Sequence, residues 1–222
     1  MNQGLRIASV NGSGDNTVEV YVAGALLDSF ELAAGTSVRE DYPVNTGPVR
    51  VVCTTCTGDE KILTSLRVIW RTPTAGRTSY SEMMGLPLEQ LSTEYWFPWY
   101  NNVDTNAMDQ GFRIANVNAT GTNTIQVWVG NTLLDSFNLG IGASTRVSYA
   151  VNAGPLRILC TTCTSNEKII AALRVIWKEP GYRASYSEMM GLPTEQLSSE
   201  YWFPWYNNAT SSMDQGFRIA IP

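Results

Sequence analysis

Thr17-Val18-Glu19-Val20-Tyr21-Val22 and Thr124-Ile125-Gln126-Val127-Trp128-Val129 decide the fold class. In each run an apolar residue alternates with one that is polar or amphipathic. That period of two marks a half-buried β-strand with one face inward. The two runs are also one element written twice, at a spacing of 124 − 17 = 107 residues. Working outward, Val49, Val51 and Cys53 alternate with Arg50 and Val52, and Leu66, Val68 and Trp70 alternate with Arg67 and Ile69. Turn residues break these runs at Asn11-Gly12-Ser13-Gly14, Ala34-Gly35, Asn45-Thr46-Gly47-Pro48 and Thr57-Gly58-Asp59. The pattern predicts strands near 4–10, 17–23, 26–32, 36–42, 48–54, 60–70 and 94–100, recurring 105–107 residues later. Seven short strands per copy predict an all-β chain of two tandem immunoglobulin-like β-sandwich domains. Ser81-Glu82-Met83-Met84-Gly85 and Leu86–Leu91 read instead as short turns of helix, with Gly85 as a stop and Pro87 as a restart.

The duplication runs the length of the chain. GLRIASV at Gly4 matches GFRIANV at Gly111, and CTTCT recurs at Cys53 and Cys160. SYSEMMGLP begins at Ser79 and Ser185, and EYWFPWYNN at Glu94 and Glu200. MDQGFRIA appears at Met108 and again at Met213. The expected division is 1–107 for the first repeat and 108–222 for the second, ending in the opening strand of a third. A period of this length suits a string of small domains better than a solenoid.

Composition removes several functions. Among 222 residues there is no histidine, so the chain has no Ser-His-Asp or Cys-His pair, no His-ligated metal and no imidazole switch. Charged residues are 16% and the net charge is −5, which argues against nucleic acid or an anionic membrane as partner. No apolar run reaches the roughly 18 residues of a membrane-spanning helix. MNQGLRIASV lacks a basic segment followed by an apolar one, so no signal peptide is expected there. No cofactor or metal site is expected. Calcium keeps an opening only through oxygens near Asp104 and Asp109, without EF-hand spacing.

NTGPVRVV, SYSEMMGLP and EYWFPWYNN, in this order and spacing, resemble a module repeated in tandem in large secreted surface proteins of prokaryotes. The resemblance covers essentially the whole chain, and Tyr95-Trp96-Phe97-Pro98-Trp99-Tyr100 is its most specific part. It implies β-sandwich units of about the same length in an extracellular, repetitive, structural or adhesive protein. It carries no catalytic residues.

The candidate sites follow from the residues. Cys53/Cys56 and Cys160/Cys163 could be redox CxxC motifs, a shared zinc site, or one disulfide per unit across a tight hairpin. The strand context favours the disulfides and an oxidising compartment. Tyr95, Trp96, Phe97, Trp99 and Tyr100, with Tyr201, Trp202, Phe203, Trp205 and Tyr206, either pack the joint between units or form a platform for glycans with neighbouring asparagines. Their place just before the next unit's opening strand favours the joint. Leu5, Ile7, Phe217 and Ile219 lie on terminal strands that could pair head to tail, one chain completing a sheet of the next. Tyr21 and Trp128 point outward. Glu82, Glu188, Glu94 and Glu200 recur in matched contexts, which fits structural links better than glycosidase chemistry. Sequons at Asn11, Asn118 and Asn208 are possible glycosylation sites. The resulting expectation is no enzyme. It is a structural module of an extracellular filament or cell-surface assembly, partnered by copies of itself or adjacent repeats, with a secreted carbohydrate-binding or adhesin module as the alternative.

Overall fold

The computed structural model describes residues 2–71, 78–103, 107–179, 183–206, 209 and 216–222. The chain is all-β, in small antiparallel sheets. The first unit holds β1 (Asn2–Ser9), β2 (Asp15–Val22), β3 (Ala25–Ala33), β4 (Ser37–Glu40), β5 (Val49–Cys53), β6 (Ile62–Arg71) and β7 (Thr78–Met84). Next come β8 (Glu94–Phe97) and β9 (Tyr100–Asn101). The second unit repeats the series as β10 (Met108–Asn116), β11 (Thr122–Val129), β12 (Thr132–Gly140), β13 (Ser144–Val147), β14 (Asn152–Ala153), β15 (Leu156–Cys160), β16 (Ile169–Glu179), β17 (Arg183–Met190) and β18 (Leu192–Pro193).

One sheet of the first unit is ordered β4-β1-β6-β7, and its counterpart in the second unit is β13-β10-β16-β17. The facing sheets are β3-β2-β5 in the first unit and β12-β11-β15-β8-β18 in the second. In the second unit the inward residues of both sheets meet in one cluster. Phe112, Ile114, Ile169 and Leu173 come from one side, and Ile125, Val127, Ile158, Tyr95 and Phe97 from the other. The first unit's cluster is much smaller, with Leu5, Ile7, Val18, Val20 and Leu32 buried.

This pairing corrects the immunoglobulin expectation. There the first two strands lie side by side in one sheet. Here β1 pairs with β4 and β6, while β2 pairs with β3 and β5. The Asn11–Gly14 turn carries the chain from one layer to the other, and Gly14 takes the left-handed backbone (φ 83°) that the crossing uses. Ser79–Met84 is a second correction: it is strand, not helix. Glu and Met favour helix weakly, but pairing along β6 from Ser65↔Met84 to Arg71↔Thr78 outweighs that preference. Helical turns are confined, among the described residues, to Leu88–Gln90 and Thr194–Gln196.

Both cysteine pairs are disulfides, Cys53–Cys56 and Cys160–Cys163. They do not staple a hairpin as expected. β5 and β6 belong to different sheets, so each bridge closes the turn where the chain leaves one layer for the other. A loop this short stabilises by about 2 kcal/mol through chain entropy.

Charge moves between the copies without leaving a buried cation alone. Arg67 is buried and meets Asp41 at 3.2 Å and the Asn2 side chain at 2.9 Å. In the second unit Ser148 stands at the position of Asp41, but Asp109 stands at the position of Asn2 and meets Arg174 at 2.8 Å. Each of these arginines keeps one carboxylate, supplied from a different part of its unit.

The two units touch along β6/β7 and β16/β17. Trp70 stacks on Tyr186 with ring centroids 5.9 Å apart. The Ser79 hydroxyl accepts from the Tyr186 amide at 2.9 Å, and Val68, Ile176 and Tyr186 form a small buried cluster.

Candidate functional site

By sequence period Glu94–Asn101 belongs to the first copy, yet it hydrogen-bonds in the sheets of the second unit. β8 lies along β15 in the register Leu156↔Phe97, Arg157↔Trp96, Ile158↔Tyr95 and Leu159↔Glu94. β9 pairs with β14, and β18 covers the other edge of β8. The Cys160 amide donates to the Thr93 carbonyl at 2.8 Å, extending the ladder by one residue.

Alternation sorts the side chains of this strand. Tyr95 and Phe97 point into the core, while Glu94 and Trp96 face outward. Phe97 and Tyr100 clasp Phe112 from two sides, at ring-centroid distances of 5.1 and 4.9 Å. The hydroxyls that go inside are matched. Tyr95 donates to the Ile169 carbonyl at 3.0 Å and accepts from the Ser92 amide at 3.1 Å. Burial pushes its pKa up to about 12. Tyr100 donates to the Gln110 carbonyl at 3.1 Å and accepts from the Tyr149 amide at 2.9 Å. On the outer face Glu94 meets Arg157 at 2.6 Å, and the guanidinium sits 5.6 Å from the Trp96 ring centre. Trp96 and Trp99 donate to Thr194 and Asn152 at 3.0 and 2.9 Å.

Two glycines make the room. A Cβ on Gly154 would lie 2.3 Å from the Pro98 carbonyl oxygen and 2.9 Å from Trp99 Cα. One on Gly191 would lie 2.7 Å from Phe97 Cζ. Both positions are glycine because the aromatic strand passes against them.

Among the described residues the second copy of the motif has no such seat. Tyr201, Phe203 and Tyr206 are 53, 64 and 48% exposed, against 0, 1 and 0% for Tyr95, Phe97 and Tyr100. Residues 201–206 and 216–222 form no strand. Their local geometry nonetheless copies the first motif. Phe203 and Tyr206 clasp Phe217 at 5.5 and 5.0 Å, and the Ser198 amide donates to the Tyr201 hydroxyl as Ser92 does to Tyr95. Arg218 lies 4.0 Å from the Trp99 ring centre.

At the other end of the chain, β5 has no strand on its outer edge among the described residues. Val49 is 47% exposed, where its counterpart Leu156 is fully buried. Arg50 rests on Tyr21, 4.9 Å from the ring centre, and among the described residues it has no carboxylate like the Glu94 of Arg157. One unit thus carries an occupied slot and the other the same slot open.

The remaining expected sites are placed as follows. Leu5 and Ile7 are in β1, inside the first core, while Phe217 and Ile219 are exposed. Asn11 and Asn118 work as clamps: each accepts from a lysine amide, Lys61 or Lys168, at 2.6 Å and donates across its turn to Asn16 or Asn123. Asn208 and Asp104 lie outside the described residues. Trp128 donates to Gln126 and Tyr21 to Glu19 on the outer faces. No contact joins two of the four recurring glutamates among the described residues.

Glu82 and Glu188 differ despite identical sequence contexts. Hydrogen bonds from Ser65, and from Tyr80, hold Glu82 below its usual range. Ala172 stands where Ser65 would be, so Glu188 loses that donor, and burial pushes its pKa up. A lowered folded pKa stabilises above the ordinary carboxylate value and loses that stability as pH falls through the folded value. A raised one stabilises below the ordinary value and loses it as pH rises through the folded value. Glu188→Gln is therefore expected to raise the melting temperature at pH 7 and Glu82→Gln to lower it. The Glu188 difference should fade as pH falls to the ordinary carboxylate range of about 4, whereas the Glu82 difference should fade only below that range. Melting curves of the two variants against pH check this, and equal responses would contradict it.

No helix among the described residues is long and apolar enough to cross a membrane. No family model matches the chain. No curated protein matches it either. A solved structure of an anti-sigma factor domain-containing protein aligns over 90% of this chain and 79% of its own, at 11% identity and a TM-score of 0.20. A likeness that shallow carries no argument about fold or function.

Proposed function

We propose that the chain is a structural, non-enzymatic module of an extracellular filament or cell-surface assembly, its units read as two-layer β-sandwiches linked in series. The observation that carries this reading is the crossing of β8 and β9 from the end of one repeat into the sheets of the next. Such a joint couples neighbours by main-chain hydrogen bonds and a buried aromatic core, not by a loose linker. The two disulfides fit an oxidising compartment, and the absence of histidine and sparse charge suit a part whose task is mechanical. Electron microscopy of the purified protein tests it: end-to-end rows of units are expected, and dispersed single particles at every concentration would count against it.

The second reading, a carbohydrate-binding or adhesin module, is favoured by the exposed rings of Trp202 and Trp205. Retention on polysaccharide resins, lost in Trp202→Ala with Trp205→Ala, would support it over the first.

A further inference from the structure

We propose that the open edge of β5 is a docking slot for residues Glu200–Tyr206 of a second copy of this chain. The inference rests on the structural reading above and names its contact.

The occupant is identified by the second unit, which already holds the same sequence in the same slot. Moving the observed register back by 107 on the acceptor and forward by 106 on the donor gives Val49↔Phe203, Arg50↔Trp202, Val51↔Tyr201 and Val52↔Glu200. The chemistry agrees at each point. Among the described residues Arg50 lacks the carboxylate that Arg157 has in Glu94, and Glu200 would supply it. Tyr201 and Phe203 are exposed and would enter above the small first core, as Tyr95 and Phe97 do in the second.

Room has been left for it. Gly47 corresponds to Gly154, but a Cβ there would meet nothing nearer than the Ser144 hydroxyl at 3.6 Å. The glycine is kept although nothing among the described residues of its own chain needs the space. The donor is also pre-shaped, since Phe203 and Tyr206 already hold the clasp geometry of Phe97 and Tyr100. β1 keeps its own place in the acceptor, with Leu5 where the second unit has Phe112, so the incoming segment ends at Tyr206. A donor at one end and its acceptor at the other make a heterologous contact, which propagates unless it closes on itself.

The test mixes full-length Arg50→Cys and Trp202→Cys chains under mild oxidation. The expected result is a disulfide-linked heterodimer, with at least tenfold less product when Trp202→Cys is paired with Leu63→Cys, an exposed position on β6. Gly47→Ala placed in the Arg50→Cys chain should cut the yield at least tenfold without changing its own melting curve. No link, equal linking to Leu63→Cys, insensitivity to Gly47→Ala, or a link formed within one chain carrying both cysteines would each overturn the proposal. Microscopy of the same samples separates it from the filament reading. Rows of units without the Arg50–Trp202 link refute this contact alone, whereas linked pairs that never extend refute the filament alone.

Discussion

Phe97→Ala is expected to destabilise the second unit by about 3–5 kcal/mol, the usual cost of deleting a buried phenylalanine. Phe203→Ala should change the stability of the dilute protein by no more than about 0.5 kcal/mol, as for a surface substitution. The two residues occupy the same place in the same nine-residue motif. Only their surroundings differ. Phe97 packs on Phe112 and fills the space that Gly191 leaves, while Phe203 is largely in solvent. Denaturant melts of both variants measure the contrast. Similar losses would mean that β8 does not hold the second unit together.

A second large effect is expected at Gly154. In Gly154→Ala the new methyl would overlap the Pro98 carbonyl and the Trp99 backbone, neither of which can rotate away. The aromatic segment must shift or leave, and overpacking of this kind costs about 3 kcal/mol. Loss of the Trp99–Asn152 hydrogen bond and of the β9–β14 pair would follow. The matched Gly47→Ala change brings its methyl only into ordinary van der Waals contact, 3.6 Å from the Ser144 hydroxyl, and should melt like the parent protein. Fluorescence of Trp99 offers a second readout, since its indole should become more solvent-exposed only in the Gly154 variant.

Most of the strands could be read from the chain because period-two alternation is local and the repeat supplied every element twice. β2 and β11 lie where their alternating valines and isoleucines place them, burying Val18 and Val20, and Ile125 and Val127. The layer assignment was not legible, because the Asn11–Gly14 turn can close a hairpin or carry the chain to the opposite sheet. The SYSEMM strand was missed because its helical tendency is local while its pairing with β6 is not. The position of the aromatic motif favoured a joint over a glycan platform. Its destination was hidden, because two identical stretches cannot reveal that one is buried in a sheet and the other exposed. A paired signal was present in the glycines: Gly47 and Gly154 recur beside the same proline, and Gly85 and Gly191 beside the same leucine. A glycine retained in both copies marks a close approach by something outside the local strand.

Amide hydrogen exchange at β5, followed as the protein is concentrated, reads whether the open edge takes up the Glu200–Tyr206 segment. In dilute solution the Val51 and Cys53 amides on the open edge are expected to exchange much faster than those of Ile158 and Cys160, which β8 covers. On concentration, the Val51 and Cys53 amides should become protected together with those of the Glu200–Phe203 segment. Protection of β5 equal to that of β15 at every dilution would contradict it, as would exchange at β5 that stays fast however concentrated the protein becomes.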